Sequence, residues 1–315
     1  MSDVRVSAQE MREVCGLADR APSLFNSQPW QWRGGGDFLE LLLDRSLELP
    51  ETDPDKRELV ISNGVALQHA LLALRARGWL VNVLRLPDAS EPELLARIEV
   101  LGRGDPAPGD GALVRAARRR EVDRREYAPV PVPPSVLAEL ASAGAAAQVS
   151  VITGDQRRAV AQAFARAARV HAASDRYRAE LASWTGMASW SADGAPETGV
   201  PWRAREHDDL VVRDFGWAEA AGVDPASNGA AGCLLLISTG ADDRDAHLRA
   251  GEALGALLCR AELAGLASCP LSEALEVRGT RALVRREALA DAGHPQMMVR
   301  VGWPRPADGS PRHRT

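Results

Sequence analysis

Lysine is nearly missing from this 315-residue chain: Lys56 is the single one, so its basic side chains are almost all arginine. Together with abundant alanine this points to a GC-rich coding sequence and leaves the chemistry open. A basic excess is missing too. The formal net charge is −5 and the pI about 5.8, so no electrostatic footprint for nucleic acid or an anionic membrane surface is present. Four cysteines (Cys15, Cys233, Cys259, Cys269) form no CxxC pair, which argues against a disulfide framework or a zinc site and for buried thiols in a reducing compartment. No apolar run reaches the roughly 20 residues of a membrane span, and no charged leader followed by an apolar stretch opens the chain. The expected compartment is therefore the cytoplasm. The six histidines make no HxxxH or HxH set, so no metal is expected, and the phosphate-loop patterns GxGxxG and GxxxxGK are absent. What remains, 45% hydrophobic and 26% charged residues, suits a soluble protein of one large or two medium domains.

Ser7 to Glu10 reads as a capping box that opens a helix ended by Pro22. Trp30 to Arg33, the Gly34–Asp37 turn and Phe38 to Leu43 read as a β-hairpin. Apolar positions recur at helical spacing from Leu59 to Gly78, and a strand follows from Trp79 to Leu86. The Gly/Pro/Asp-rich stretch Gly102 to Gly111 favours an exposed connector and is taken as the boundary between two halves. An internal repeat supports that division. Gly64, Ala66, Leu67, Leu71 and Gly78 recur at constant offset as Gly251, Ala253, Leu254, Leu258 and Gly265. Two unrelated amphipathic helices with similar faces would give the same periodicity. A strand precedes each repeated helix, Leu39 to Leu43 and Val149 to Thr153, and the second half carries far more chain in between. That insertion, about 155–232, should hold a helix from Gln156 to about Leu181 and an irregular part with Trp184, Trp190 and Trp202. Long Trp-bearing loops in compact domains are usually lids or binding loops.

Three runs carry the chemistry. Arg20-Ala-Pro-Ser-Leu-Phe-Asn-Ser-Gln-Pro-Trp30 is held extended by two prolines and offers Ser23, Asn26 and Gln28 as donors and acceptors; alone it could be an ordinary turn. Arg118 to Tyr127 packs five arginines into eight residues, which suits a phosphate partner as well as a solvated helix end. Gly265 to Glu273 follows the second repeated helix, and Pro270 interrupts it so that the next backbone N–H groups could face a ligand.

In this order the three runs resemble the nitroreductase superfamily, and within it the fused two-half Acg-type FMN-binding oxidoreductases. The resemblance spans nearly the whole chain and includes APSxxNxQPW at residues 21–30, Asp53-Pro54 with Arg57 to Gly64, the arginine cluster and GLxSCPL at 265–271. It implies an α+β, nitroreductase-like fold: two similar α/β halves, 1–108 and 109–315, forming an intramolecular pseudo-dimer with mainly antiparallel sheets flanked by helices. It further implies one FMN between the halves. Pro22, Ser23, Leu24 and Asn26 would contact it from the first half. Arg120 and Arg124 would hold the phosphate, the turn Pro270, Leu271, Ser272 and Glu273 would flank the isoalloxazine, and Arg312 and Arg314 would complete the phosphate clamp.

The second-half position matching PSxxN reads Ala143 to Ala147 and offers no side-chain hydrogen bonds, so one FMN per chain is expected. Where the superfamily often has Arg-Arg-Ser, this chain has Arg120-Glu121-Val122, which puts an acid near the phosphate position. The implied activity is two-electron transfer to a nitroaromatic, quinone or activated alkene, with NADH or NADPH as donor and no catalytic side chain, the flavin doing the redox step. The alternative is a protein that stores or sequesters FMN under a closed lid. The expected partners are a small-molecule acceptor and no macromolecule, in a monomer.

Overall fold

The computed structural model describes residues 5–188, 206–207, 210–211 and 232–305. Helix α1 (Ala8–Ala18) starts with the expected capping box: Ser7 Oγ accepts from the Glu10 N–H at 3.2 Å and Glu10 Oε2 accepts from the Ser7 N–H at 3.1 Å. A tight loop leads into the hairpin β1 (Trp30–Gly34) and β2 (Phe38–Leu43), then α2 (Arg57–Arg75), β3 (Trp79–Arg85) and β4 (Leu94–Arg103). A connector of residues 104–109 precedes α3 (Asp110–Arg119). Next come α4 (Pro134–Ser142), β5 (Gln148–Ile152), α5 (Gly154–Ala172), α6 (Asp175–Ala188) and the two-residue strands β6 (Glu206–His207) and β7 (Leu210–Val211). The last described elements are β8 (Cys233–Thr239), α7 (Arg244–Leu263), β9 (Ala267–Leu271), α8 (Glu273–Glu276), α9 (Arg278–Leu289) and β10 (His294–Gly302).

Among the described residues two four-stranded antiparallel sheets form, ordered β1-β2-β4-β3 and β5-β8-β10-β9, beside the short β6-β7 pair. Both follow the order first, second, fourth, third, and in both the long helix lies between the second and third strands. This is the α+β pseudo-dimer. Helices α2 and α7 are buried along most of their length and share one hydrophobic core with both sheets, including Leu67, Leu74, Leu254 and Leu258.

The repeated glycines have a physical reason. A Cβ on Gly64 would lie 2.1 Å from the Leu248 carbonyl oxygen, and one on Gly251 would lie 2.0 Å from the Ile61 oxygen and 2.7 Å from Gly64 Cα. The two helices thus cross backbone to backbone, and each glycine meets its own repeat counterpart, as in a two-fold self-complementary interface. At the other shared position, Gly78 and Gly265 both take left-handed φ values, +79° and +77°, just beyond the ends of α2 and α7.

Three expectations are corrected. The strand Val149 to Thr153 is β5, the counterpart of β1, and the strand before α7 is β8. The insertion therefore takes the place of the Gly34–Asp37 hairpin turn. The helix expected from Gln156 to Leu181 is two helices. Ala173 ends α5, and Ser174 Oγ accepts from the Tyr177 N–H at 3.2 Å to start α6. Pro270 does not sit in a turn: it lies within β9, opposite Val299, at the sheet edge where a missing N–H costs no ladder bond.

His69 on α2 is fully buried, with Nε2 3.6 Å from Cys259 Sγ. Burial first, and then the Arg120 guanidinium, push its pKa down from 6.5 to about 3. A group held neutral in the fold but free to protonate once unfolded contributes stability in full above the unfolded pKa of 6.5 and loses it as pH falls toward 3. His69→Gln should flatten this acid limb. The urea midpoint should drop less between about pH 7 and about pH 5 in the variant than in the parent, and equal drops would place the acid sensitivity elsewhere.

Candidate functional site

The Ala21–Trp30 loop is strained and pinned from several sides. Phe25, Asn26 and Gln28 all have φ near +50°, an unfavourable region for residues with a Cβ. The Gln28 N–H donates to Ser23 Oγ at 2.9 Å, and Asn63 Nδ2 of α2 donates to the carbonyl oxygens of Pro29 and Leu59, both at 2.9 Å. Trp30 Nε1 donates to Asp19 Oδ1 at 3.1 Å and ties the far end of the loop to α1. The loop is thereby held against α2.

Between this loop and the second half lies a cavity with ≈ 760 Å³ of empty space, part of it open to solvent. Pro22, Ser23, Leu24 and Phe25 form one side, and Glu58, Ile61, Ser62 and Val65 on one face of α2 form the floor. From the second half come Val122, Arg124, Phe164, Leu254, Met297 and the run Pro270 to Glu273. The lining is therefore an apolar slot with a few hydroxyl groups, two carboxyl side chains and one guanidinium.

Both carboxyl side chains are embedded. Glu58 is buried beside the buried Arg57, whose guanidinium donates to Glu58 and to the Gln296 carbonyl oxygen. Asp53 fixes the start of α2 by accepting from the N–H groups of Arg57 at 3.0 Å and Leu59 at 2.8 Å, and burial raises its pKa. Glu273 is buried, and its Oε2 has no hydrogen-bond partner among the described residues. Behind it, His171 of α5 stacks on Tyr177 of α6 with ring centroids 4.0 Å apart. The imidazole stands 3.5 Å from Glu273 and 3.7 Å from Glu276, which accepts from Ser272 Oγ at 2.7 Å. Helix α5 is thus packed directly against the β9–α8 corner, and α6 joins it through the Tyr177–His171 stack.

The structure brings Pro22, Ser23, Leu24, Arg124, Pro270, Leu271, Ser272 and Glu273 to one cavity. It does not bring Asn26 or Arg120 there. Asn26 is folded into a single 3-10 turn, its N–H donating to the Ser23 oxygen at 3.1 Å. Arg120 is buried at the end of α3, donates to the Arg20 carbonyl oxygen at 3.1 Å, and is destabilised as a cation by that burial. Arg125 pairs with Asp123 at 2.7 Å, and Glu121 is exposed to solvent. Arg312, Arg314, Trp190 and Trp202 lie outside the described residues. Glu58, Ile61, Ser62 and Val65 were not foreseen, although their 58/61/62/65 spacing is that of one helical face.

Trp184 of α6 and Leu181 pack against Phe25 and Leu49, next to the cavity. The Glu180 carboxylate accepts from the N–H groups of Glu51 (3.0 Å) and Thr52 (2.9 Å) and from Thr52 Oγ1 (2.6 Å). Among the described residues no helix is long and apolar enough to cross a membrane.

No protein-family model matches the chain. The Mycobacterium tuberculosis (strain H37Rv) protein named "Putative NAD(P)H nitroreductase Rv3131" is 40% identical over 308 residues, covering 94% of this chain and 86% of its own. From the same strain, "Putative NAD(P)H nitroreductase acg" is 32% identical over 304 residues, covering 96% of this chain and 91% of its own. Among solved structures, a nitroreductase with bound FMN from Bacteroides fragilis is 14% identical, covers 64% of this chain and 92% of its own, and superposes with a TM-score of 0.39, too low to carry a conclusion.

Proposed function

The chain belongs to the nitroreductase family, and from that premise we propose that it is an FMN-dependent oxidoreductase that passes two electrons to an electrophilic small molecule. The observation that carries the proposal is the cavity, which collects the 22–25 loop from one half and the 122–124 and 270–273 runs from the other. Its chemistry fits the cofactor. Leu24, Ile61, Val65, Phe164, Leu254 and Met297 supply apolar walls for a flat ring, Ser23, Ser62 and Ser272 supply hydroxyl groups at its edges, and Arg124 supplies a cation for a phosphate. When bound, FMN would accept and donate a hydride equivalent, so the protein need supply no nucleophile.

The chain's residues would bind and orient. The strained 22–28 loop holds its backbone against the ring, and β9 presents the Ser272 region toward the same slot. Ile61 and Val65 give the α2 floor apolar surface against which the ring would pack. We place the junction of the halves at residues 108 and 109, one FMN per chain, in a monomer that works as a pseudo-dimer. The acceptor class is a nitroaromatic, quinone or activated alkene, and NADH or NADPH is the donor.

Purified protein should be yellow and release close to one FMN per chain on denaturation. The bound flavin should bleach on anaerobic addition of NADH or NADPH and recover its colour on addition of a nitroaromatic or quinone. Colourless protein that takes up no added FMN would refute the proposal.

A second reading, FMN storage without turnover, is favoured by one contact set: Trp184 and the Glu180 latch hold α6 over the loop beside the cavity. The two readings separate on the reductant. Storage predicts bleaching by dithionite and none by NAD(P)H. Glu180→Ala removes three hydrogen bonds and should raise the rate of bleaching in either case; an unchanged rate in a folded, flavin-loaded variant would show that α6 does not gate the site.

A further inference from the structure

The two-fold relation between α2 and α7 predicts a second cleft at the position related to the first, and the structure contains one. It is lined by Arg249 and Glu252 of α7, Val83 and Arg85 of β3, and the Ala143 to Ala146 turn. At the offset that relates Gly64 to Gly251, Arg249 and Glu252 stand where Ser62 and Val65 stand in the first cavity. Val83 and Arg85 stand where Pro270 and Ser272 stand. The alanine turn follows α4 as the Ala21–Phe25 loop follows α1. The cleft has ≈ 1290 Å³ of empty space, part of it open to solvent.

We propose that Arg85 and Glu252 are the residues that exclude a flavin ring from this second cleft and so make the chain a single-site protein. The inference rests on the assignment of FMN to the first cavity. Arg85 Nε and Nη2 donate to the two oxygens of Glu252 at 2.6 and 2.7 Å, a two-point ion pair whose carboxylate side chain is only 6% exposed. Where Val65 and Ser272 offer a ring an uncharged wall, this pair offers two charges whose remaining hydration a ring would strip away. Displacing Arg85 to make room would leave Glu252 buried without its partner. Arg249 adds a cation where the first cavity has the uncharged Ser62; its partner Asp245, 2.5 Å away, stands at the position of Glu58, so the carboxylate is common to both clefts.

The probe is riboflavin, which carries the ring without a phosphate, titrated by equilibrium dialysis into the full chain stripped of flavin. The parent should bind one equivalent. Arg85→Ser with Glu252→Val, which installs the residue types of the first cavity, should bind a second equivalent, at least tenfold more weakly than the first. Arg85→Met with Glu252→Gln keeps size while removing charge, and serves if the first pair of changes does not fold. Two equivalents in the parent, or one in a folded uncharged variant, would overturn the inference. No riboflavin or FMN bound by the parent would instead overturn the assignment of the first cavity, on which the inference depends.

Discussion

Gly251→Ala is expected to destabilise the protein by about 3 kcal/mol or more, the reverse of what alanine does in an ordinary helix. Alanine in place of an interior helical glycine normally gains roughly 0.5–1 kcal/mol, because glycine loses more backbone freedom on folding. At the α2–α7 crossing the added Cβ would lie 2.0 Å from the Ile61 carbonyl oxygen and 2.7 Å from Gly64 Cα. Both obstacles are backbone, so no rotamer change relieves them and the helices must move apart. That motion would loosen the core shared by the two halves, since Leu67, Leu254 and Leu258 pack around the same crossing. Gly64→Ala should behave alike, with its Cβ 2.1 Å from the Leu248 oxygen. Gly16→Ala is the control: it lies in α1 with nothing within 4 Å of the new Cβ and should be neutral to stabilising. Urea denaturation of the flavin-free protein measures all three. A Gly251→Ala variant as stable as Gly16→Ala would mean that the helices do not cross at these glycines.

The parts of the fold legible in the sequence are those written in local chemistry. The Ser7–Glu10 capping box and the Gly34–Asp37 hairpin turn each involve residues within a few positions of one another. The Gly64 and Gly251 match was legible as a repeat, and the crossing explains why glycine stands at both places. Placing the insertion was a different problem. Whether Val149 to Thr153 answers to β1 or β2 depends on pairing with β8, some 80 residues on, and no local pattern encodes that partner.

The same limit applies to the site. The Pro22–Leu24 and Pro270–Glu273 runs were recognisable as motifs, but the 58/61/62/65 face of α2 could be assigned to the cavity only once α2 was seen to be buried on every side. In the arginine run the five side chains are chemically alike. What separates them is the direction of the backbone after α3: it stops at Arg120, bridges beside β9 at Val122, and turns Arg124 into the cavity while Arg120 stays behind against Arg20.

That separation sets the expected behaviour of the two arginines toward ligands that differ only in a phosphate. Arg124→Ala should weaken FMN binding far more than riboflavin binding. Hydrogen bonds to a charged group are worth about 1.5–3 kcal/mol, which corresponds to roughly 10- to 100-fold in Kd, and only FMN carries the group that Arg124 would hold. Arg120→Ala should not discriminate. Its guanidinium is buried at the α3 end, its hydrogen bond runs to the Arg20 oxygen, and its loss should appear as lower stability with equal effects on the two ligands. Fluorescence titration of each stripped variant with FMN and with riboflavin gives four constants. Salt supplies an independent check, since a phosphate–guanidinium contact at a half-buried site should weaken with ionic strength for the parent with FMN and much less for the Arg124→Ala variant. Equal losses for both ligands on removing Arg124 would place the phosphate elsewhere, and a selective FMN loss on removing Arg120 would return the clamp to the end of α3.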